Sequence, residues 1–368
     1  MTLHDWQASP DNRWSFQHVD ELVPSVEISR GTGPTLELLD ATSTAELQVD
    51  EFLSKSFTDG LIVLRGHDVL VERYLNGMTP STRHLLQSVS KSMCAAVFGR
   101  YVEAGLVAVD EPVARYLPEL ADSAYGDATV QQVLDMTVAV HYDEEYTDPH
   151  SDAQTHERVG RWRTALPTDP DNTYAFLATL KKSGEHGHTF YYCSANTEVL
   201  AWILERVSGR PFTELLPADL WSLLGAQQDA TVTVDAAGFP MASGGISVTL
   251  RDLARFGRLL LDGGQGPDGV AVTPSGWIDD VRRGGDVGAA AESMRNVHPQ
   301  GSYRNQFWVS GDNHGCFYGV GIYGQYVWMN PAADVVIAKM SSLPRADDET
   351  DWAEHVAFFD RVSHGLVP

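Results

Sequence analysis

The pattern of apolar and polar positions divides this chain into strand-like ends and a helical middle. Apolar runs at 61–64 and 69–74 flank Gly66-His67-Asp68, the arrangement of a β-hairpin with a short turn. Helical spacing then takes over, in 88–105, 130–136, 172–182, 197–207 (closed by Ser208-Gly209) and 250–261 (closed by Gly263-Gly264). Strand-like runs return at 305–309, 323–329 and 335–340, and a last helix covers about 350–363. Residues 1–58 read as a leading arm and a helix, with 26–30 as an extended piece. The segment 141–171 is rich in Asp, Glu, His, Thr and Pro without periodicity, so it reads as a loop, functional or mobile. Two early strands, a helical insertion and three late strands with short connections imply antiparallel pairing. The two chain ends must then meet to complete one sheet. There is no internal repeat.

With 368 residues, 43% of them apolar, the chain can bury a large core, as two domains or one elaborated domain. No apolar run reaches the ~20 residues that span a bilayer, and the first ten residues lack the features of a signal peptide. Cys94, Cys193 and Cys316 are odd in number and far apart, which argues for small core residues rather than a disulfide framework. The cytoplasm is the expected location. A formal charge of −24, from 26 basic and 50 acidic residues, argues against nucleic acid as a partner and favours a neutral or cationic small molecule, although acidity of this kind is more often a solubility feature.

The run Leu86-Gln-Ser-Val-Ser-Lys-Ser-Met-Cys94 changes the picture most. Ser88 and Lys91 stand three residues apart at the head of an apolar helix, so hydroxyl and amine share one helix face. A neutral Lys91 can take the Ser88 proton and make the oxygen a nucleophile. Unpaired N–H groups at the helix start can hold a developing oxyanion. The plain alternative is a capping serine beside a solvated lysine. Of the chain's five lysines, however, only Lys91 has a serine three residues upstream, and the apolar run 93–98 directs it toward packed surroundings. Gly319-Val-Gly-Ile-Tyr-Gly324 satisfies G-x-G-x-x-G, but a strand-like run follows it instead of a helix, which rules out a dinucleotide loop. There is no G-x-S-x-G elbow. His150, His156, His186 and His188 lie in polar stretches without zinc-ligand spacing and read as surface residues.

The order of elements, the Ser88-x-x-Lys91 motif, the run Gly105-Leu-Val-Ala-Val-Asp-Glu-Pro-Val-Ala-Arg-Tyr-Leu-Pro-Glu119 and Thr129-Val-Gln-Gln-Val-Leu-Asp-Met-Thr137 resemble the serine β-lactamase and penicillin-recognising superfamily, in its class C-like branch. Within it, Tyr192-Cys-Ser-Ala-Asn-Thr-Glu-Val-Leu-Ala-Trp-Ile203, Gly244-Gly-Ile-Ser247 with Arg251-Asp-Leu-Ala254, and Gly319-Val-Gly-Ile-Tyr-Gly-Gln325 are similar to the nylon-oligomer (6-aminohexanoate-dimer) hydrolases.

The resemblance implies an α/β (α+β) fold, with a three-layer α/β/α domain on an antiparallel sheet (1–89 and 241–368) and an all-α domain (90–240). It implies a serine hydrolase that cleaves linear amides or esters through a Ser88 acyl-enzyme, with no metal or organic cofactor. Tyr192 matches the family's proton-relaying tyrosine by its distance from Ser208-Gly209, with Tyr191 competing, and Ser194 replaces the usual Asn. Gly319-Val320-Gly321 fills the place of the strand motif that lines the site. Gly319 stands where a Lys or His binds the β-lactam carboxylate, so β-lactam turnover should be poor. The N–H groups of Ser88 and Ile322 are the implied oxyanion donors. Tyr146 matches a tyrosine near the scissile amide. Glu157 matches an acid that meets the substrate ammonium, against a plain reading as a solvated loop carboxylate, and Ser243 replaces a polar Asn or His. A carboxylesterase, a D-amino-acid amidase or DD-peptidase, and a penicillin-recognising binder that acylates and stalls are the competing readings. The partner implied is a small amide or ester, with or without an ammonium group; neither nucleic acid nor membrane is implied, and a homodimer is compatible with the chain.

Overall fold

A computed structural model of the protein describes residues 2–41 and 47–367. Its largest sheet has eight strands: β1 (Leu39–Asp40), β2 (Thr58–Arg65), β3 (Asp68–Tyr74), β4 (Ser302–Arg304), β5 (Phe307–Val309), β6 (Phe317–Gly321), β7 (Gln325–Asn330) and β8 (Val335–Ser341). Their spatial order is β4-β5-β6-β7-β8-β2-β3-β1, so β8 from the C-terminal part lies directly beside β2 from the N-terminal part. All pairings are antiparallel except that of β1 with β3. The hairpin expected around Gly66-His67 is present. The C-terminal part supplies five strands where the periodicity gave three, because β4 is only three residues long and β6, Phe-Tyr-Gly-Val-Gly, has glycine at two of five positions.

Both faces of the sheet are covered, which is why its central strands read as unbroken apolar runs. Alternate residues go to opposite layers. Leu61, Val63, Trp328, Val335 and Ile337 pack with the C-terminal helix, while Ile62, Leu64, Val327, Met329, Val336 and Ala338 join the core on the other face. Five helices matter for the site: α1 (Val89–Glu103), α2 (Asp152–Val159), α3 (Ala195–Ser208), α4 (Leu250–Leu261) and α5 (Glu349–His364). Helix α5 covers one face, and α1 and α4 cover the other. Residues 89–99 of α1 are buried on every side, as a central helix requires. This is a β-lactamase-like fold of mixed α/β content.

Two features escaped the periodicity. A second sheet of four strands, Ser25–Ile28, Ala230–Thr233, Ile246–Thr249 and Arg83–Leu85, joins segments scattered along the chain. The supposed loop 141–171 contains α2, whose N-terminus is fixed by the Ser151 side chain accepting the Gln154 N–H. The leading arm is anchored too: Trp6 and Phe16 are fully buried, and the Trp6 indole donates to the Trp162 carbonyl at 2.8 Å. No helix among the described residues is long and apolar enough to cross a membrane.

Candidate active site

Ser88 stands at the N-cap position of α1 but makes no capping bond, so its hydroxyl is free for chemistry. The residue before it, Gln87, is held at φ +48°, a left-handed conformation costly for a side chain and common where a functional group must be aimed. Lys91, one turn on, is 1% exposed and therefore no surface charge. Its amine lies 2.8 Å from Ser88 Oγ, 3.1 Å from Ser194 Oγ and 2.9 Å from the Ser243 carbonyl oxygen.

Those three contacts fix where the amine's lone pair points. A neutral amine has two N–H donors and one acceptor site. The Ser243 carbonyl only accepts. The single hydroxyl proton of Ser194 goes to the Glu144 carboxylate, so Ser194 accepts from Lys91 as well. Only Ser88 is left to donate to the lysine. Burial pushes the Lys91 amine down to about 8, although Glu144 and Glu198 pull the other way.

Tyr192 lies partly buried against this pair, its ring centroid 5.0 Å from the Lys91 nitrogen. Burial, with the Glu144 charge, raises its phenol, and a hydrogen bond with Ser88 lowers it; the net direction is upward, which keeps the phenol protonated. Tyr191, the competing candidate, is 42% exposed and donates instead to the Tyr142 carbonyl.

Strand β6 closes the site from the other side. A Cβ on Gly321 would come 2.4 Å from the Leu86 carbonyl oxygen and one on Gly319 3.0 Å from Ser92 Oγ, so glycine at these positions lets the strand approach the start of α1. The Ile322 N–H, just past β6, and the Ser88 N–H have no protein acceptor among the described residues. Ile322 precedes Tyr323 at φ +63°, so each of the two free N–H groups adjoins a left-handed residue.

Ser88, Glu144, Tyr146, Tyr192, Val320, Gly321 and Ile322 line a cavity of about 510 Å³, with Trp308, Tyr326, Leu343 and Trp352 as apolar wall and Asp347 at its edge. A smaller recess of about 30 Å³ behind Ser88 is lined by His156, Glu157, Ser194, Ser243 and Gly244. Tyr146 donates to Glu144 at 2.6 Å. Ser243 turns its backbone carbonyl to Lys91, while its side chain hydrogen-bonds the Glu198 carboxylate. Glu157 is neither a solvated loop carboxylate nor a free anion: it lies buried on α2, paired with Arg163 and accepting from Gln7 at 3.1 Å. His156 is also buried, not at the surface, stacked on Phe176 and 3.6 Å from Glu198.

Periodicity and spacing missed several groups. Glu144 binds both the N–H and the hydroxyl of Ser194. Glu198, fully buried on α3, accepts the N–H groups of Ala242 and Ser243 at 3.0 and 2.9 Å, and so holds the carbonyl that Lys91 donates to. Burial pushes the Glu198 carboxyl up to about 7, against its hydrogen bonds from Ser243. A signal was available: Glu198 directly precedes the apolar run Val199-Leu-Ala-Trp-Ile203, and a charge on a buried helix face asks for a partner.

This geometry is that of a serine hydrolase site between a sheet edge and a helix start, and the chain belongs to the β-lactamase family, whose model matches residues 55–359. More particularly, it is similar to the 6-aminohexanoate-dimer hydrolase of Paenarthrobacter ureafaciens, at 46% identity over 351 residues, 94% of this chain and 89% of the relative. A solved Bacillus anthracis structure assigned as a 6-aminohexanoate-dimer hydrolase superimposes with a TM-score of 0.88 at 26% identity, covering 100% of this chain and 98% of that one. A family VIII carboxylesterase shares the fold, with a TM-score of 0.65 at 15% identity over 89% of this chain and 99% of that one. The protein is thus a β-lactamase-fold hydrolase of amide or ester bonds, similar to proteins named 6-aminohexanoate-dimer hydrolase.

Proposed function

We propose that Ser88 attacks the carbonyl of a linear ω-amino amide and that Lys91 and Tyr192 move the protons. As the Ser88 Oγ–carbon bond forms, the hydroxyl proton passes to the Lys91 amine. The carbonyl oxygen becomes an oxyanion held by the N–H groups of Ser88 and Ile322. Tyr192 gives its proton to the leaving nitrogen and is reprotonated from Lys91, so the C–N bond breaks with a neutral amine departing. Water then attacks the Ser88 ester with the same groups acting in reverse. The observation that carries this reading is the Lys91 hydrogen-bond set, in which Ser88 alone can donate to the amine.

The substrate's ammonium is assigned to the acidic side of the large cavity rather than to Glu157, whose charge Arg163 already meets. Glu144 and Asp347 both line that cavity, and Asp347 has no ion-pair partner among the described residues while its neighbours Asp348 and Asp351 are paired with Arg345. Uncharged short-chain esters are the second reading, supported by the apolar wall of Trp308, Leu343 and Trp352.

The test compares a 6-aminohexanoate dimer, its N-acetylated form and a neutral p-nitrophenyl ester. Ser88→Ala should abolish turnover of all three, and a slow ester should leave one acyl mass on the peptide containing Ser88. Asp347→Asn should cost about fivefold in kcat/KM for the ω-amino amide alone, since a solvent-exposed ion pair is worth ~1 kcal/mol. Turnover by Ser88→Ala, or labelling at Ser90 or Ser92, overturns the mechanism. An equal loss on all substrates in Asp347→Asn overturns the ammonium assignment.

A further inference from the structure

On the opposite side of the sheet from α1, the turn between β5 and β6 meets the last turn of α5. Asp360 and His364 are four residues apart and share one helix face, turned toward Asp312 and Cys316. His364 Nε2 lies 3.5 Å from Asp360 Oδ1, 3.7 Å from Asp312 Oδ2 and 4.0 Å from Cys316 Sγ. The four donor atoms all fall within 4.8 Å of one another.

The cluster is built, not merely crowded. Asp312 Oδ1 accepts the N–H groups of His314 and Cys316 at 2.9 and 3.2 Å, which leaves Oδ2 directed at His364. Asp360 Oδ1 is shut off from solvent and has no hydrogen-bond partner, a costly state for a carboxylate oxygen. His314 stacks on the His364 ring with centroids 3.8 Å apart, and its Nδ1 is also buried without a partner. Two carboxylates and a thiol thus converge on one imidazole with no lysine or arginine paired to either carboxylate among the described residues.

We propose that Asp312, Cys316, Asp360 and His364 form a binding site for a divalent transition-metal ion, zinc foremost. Zinc bonds of ~2.3 Å to sulfur and ~2.0 Å to nitrogen and oxygen place tetrahedral ligands roughly 3.3–3.6 Å apart. The three contacts of His364 need to close by only a few tenths of an ångström. Sulfur and imidazole in the donor set disfavour magnesium and calcium, which take oxygen ligands. On binding, the Cys316 thiol loses its proton to solvent and the thiolate coordinates the ion. The role is structural: the ion ties the end of α5 to the start of β6, whose other end leads to Ile322.

The experiment uses the full-length reduced protein, stripped with a chelator and titrated anaerobically with Co²⁺. Expected is one equivalent bound, a sulfur-to-cobalt charge-transfer band and the intense visible bands of a tetrahedral ion, all displaced by Zn²⁺. Cys316→Ala should lose the charge-transfer band. Asp360→Asn should weaken Co²⁺ binding by more than the about tenfold to hundredfold seen when an outer partner of a metal ligand is removed. Zn²⁺ should raise the Tm of the parent protein and not that of His364→Gln. Both Asp360→Asn and His364→Gln act on partly exposed side chains at a helix end, and circular dichroism with ester turnover checks that they fold. Absence of the band, its persistence in Cys316→Ala, or unchanged Co²⁺ affinity in folded Asp360→Asn overturns the site.

Discussion

Glu144→Gln probes the link between the electrostatics of Lys91 and the rate. Through the shared Ser194 hydroxyl, the lysine nitrogen and the carboxylate are within about 6 Å, a separation at which unit charges interact by ~3 kcal/mol at an effective dielectric of 20 and ~0.7 kcal/mol in water. Glu144 opposes the burial that pushes Lys91 down to about 8. Removing its charge therefore lowers the lysine further, by about one pH unit between those two limits. The general base must be neutral, so kcat/KM for a neutral ester should rise with pH in the parent enzyme to a midpoint near 8. In Glu144→Gln that midpoint should fall toward 7. A base with midpoint 8 is roughly 10% neutral at pH 7, against about half for one with midpoint 7. The assay is the pH dependence of kcat/KM on a p-nitrophenyl ester, with the midpoint as readout. The plateau also reflects the Ser194 and Tyr146 hydrogen bonds that Glu144 supports. A parent midpoint near that of free lysine, or a midpoint in the variant that stays put or moves up, refutes the reasoning.

Nitrocefin should be hydrolysed far more slowly than short-chain esters, because Gly319 supplies no cation for the β-lactam carboxylate. Gly319→Lys should not restore that activity, since its Cβ would come 3.0 Å from Ser92 Oγ; efficient nitrocefin turnover by either protein counts against the assignment of β6. Glu157→Gln should lower stability by about 2 kcal/mol through the loss of its pairing with Arg163. It should affect ω-amino amides and neutral esters alike, and selective loss of the amide would return the ammonium to Glu157. Burial lowers His156 from 6.5 to about 3. The unfolded chain therefore takes up that proton first, so stability is lost as pH falls from about 6.5 toward 3. Tm measured against pH should fall less steeply in acid for His156→Phe than for the parent, and parallel curves would place the acid sensitivity elsewhere.

Local sequence determined the parts of this protein whose chemistry is local. The hairpin at Gly66 and the helix 250–261 followed from apolar spacing and turn residues, because period and punctuation are properties of neighbours in the chain. Ser88 and Lys91 were legible for the same reason: three residues of helix suffice to put hydroxyl and amine 2.8 Å apart. The motif likeness located Tyr192, Gly321 and Ile322, all of which line the cavity with Ser88. Tertiary structure decided what depends on contacts between distant segments. The second sheet pairs residues 25–28 with 230–233, a register that no window of sequence contains. Helix α2 has a weak apolar stripe and owes its place to the Ser151 cap and to burial of its polar residues, so it read as a loop. The partners of Glu157 are likewise set in three dimensions: Arg163 pairs with it, and Gln7 reaches it across 150 positions of chain. The same holds for the lone pair of Lys91. Its direction is set by Ser194, Glu144 and the Ser243 carbonyl, three groups brought together only by packing, since a hydrogen-bond set is a property of space rather than of sequence order.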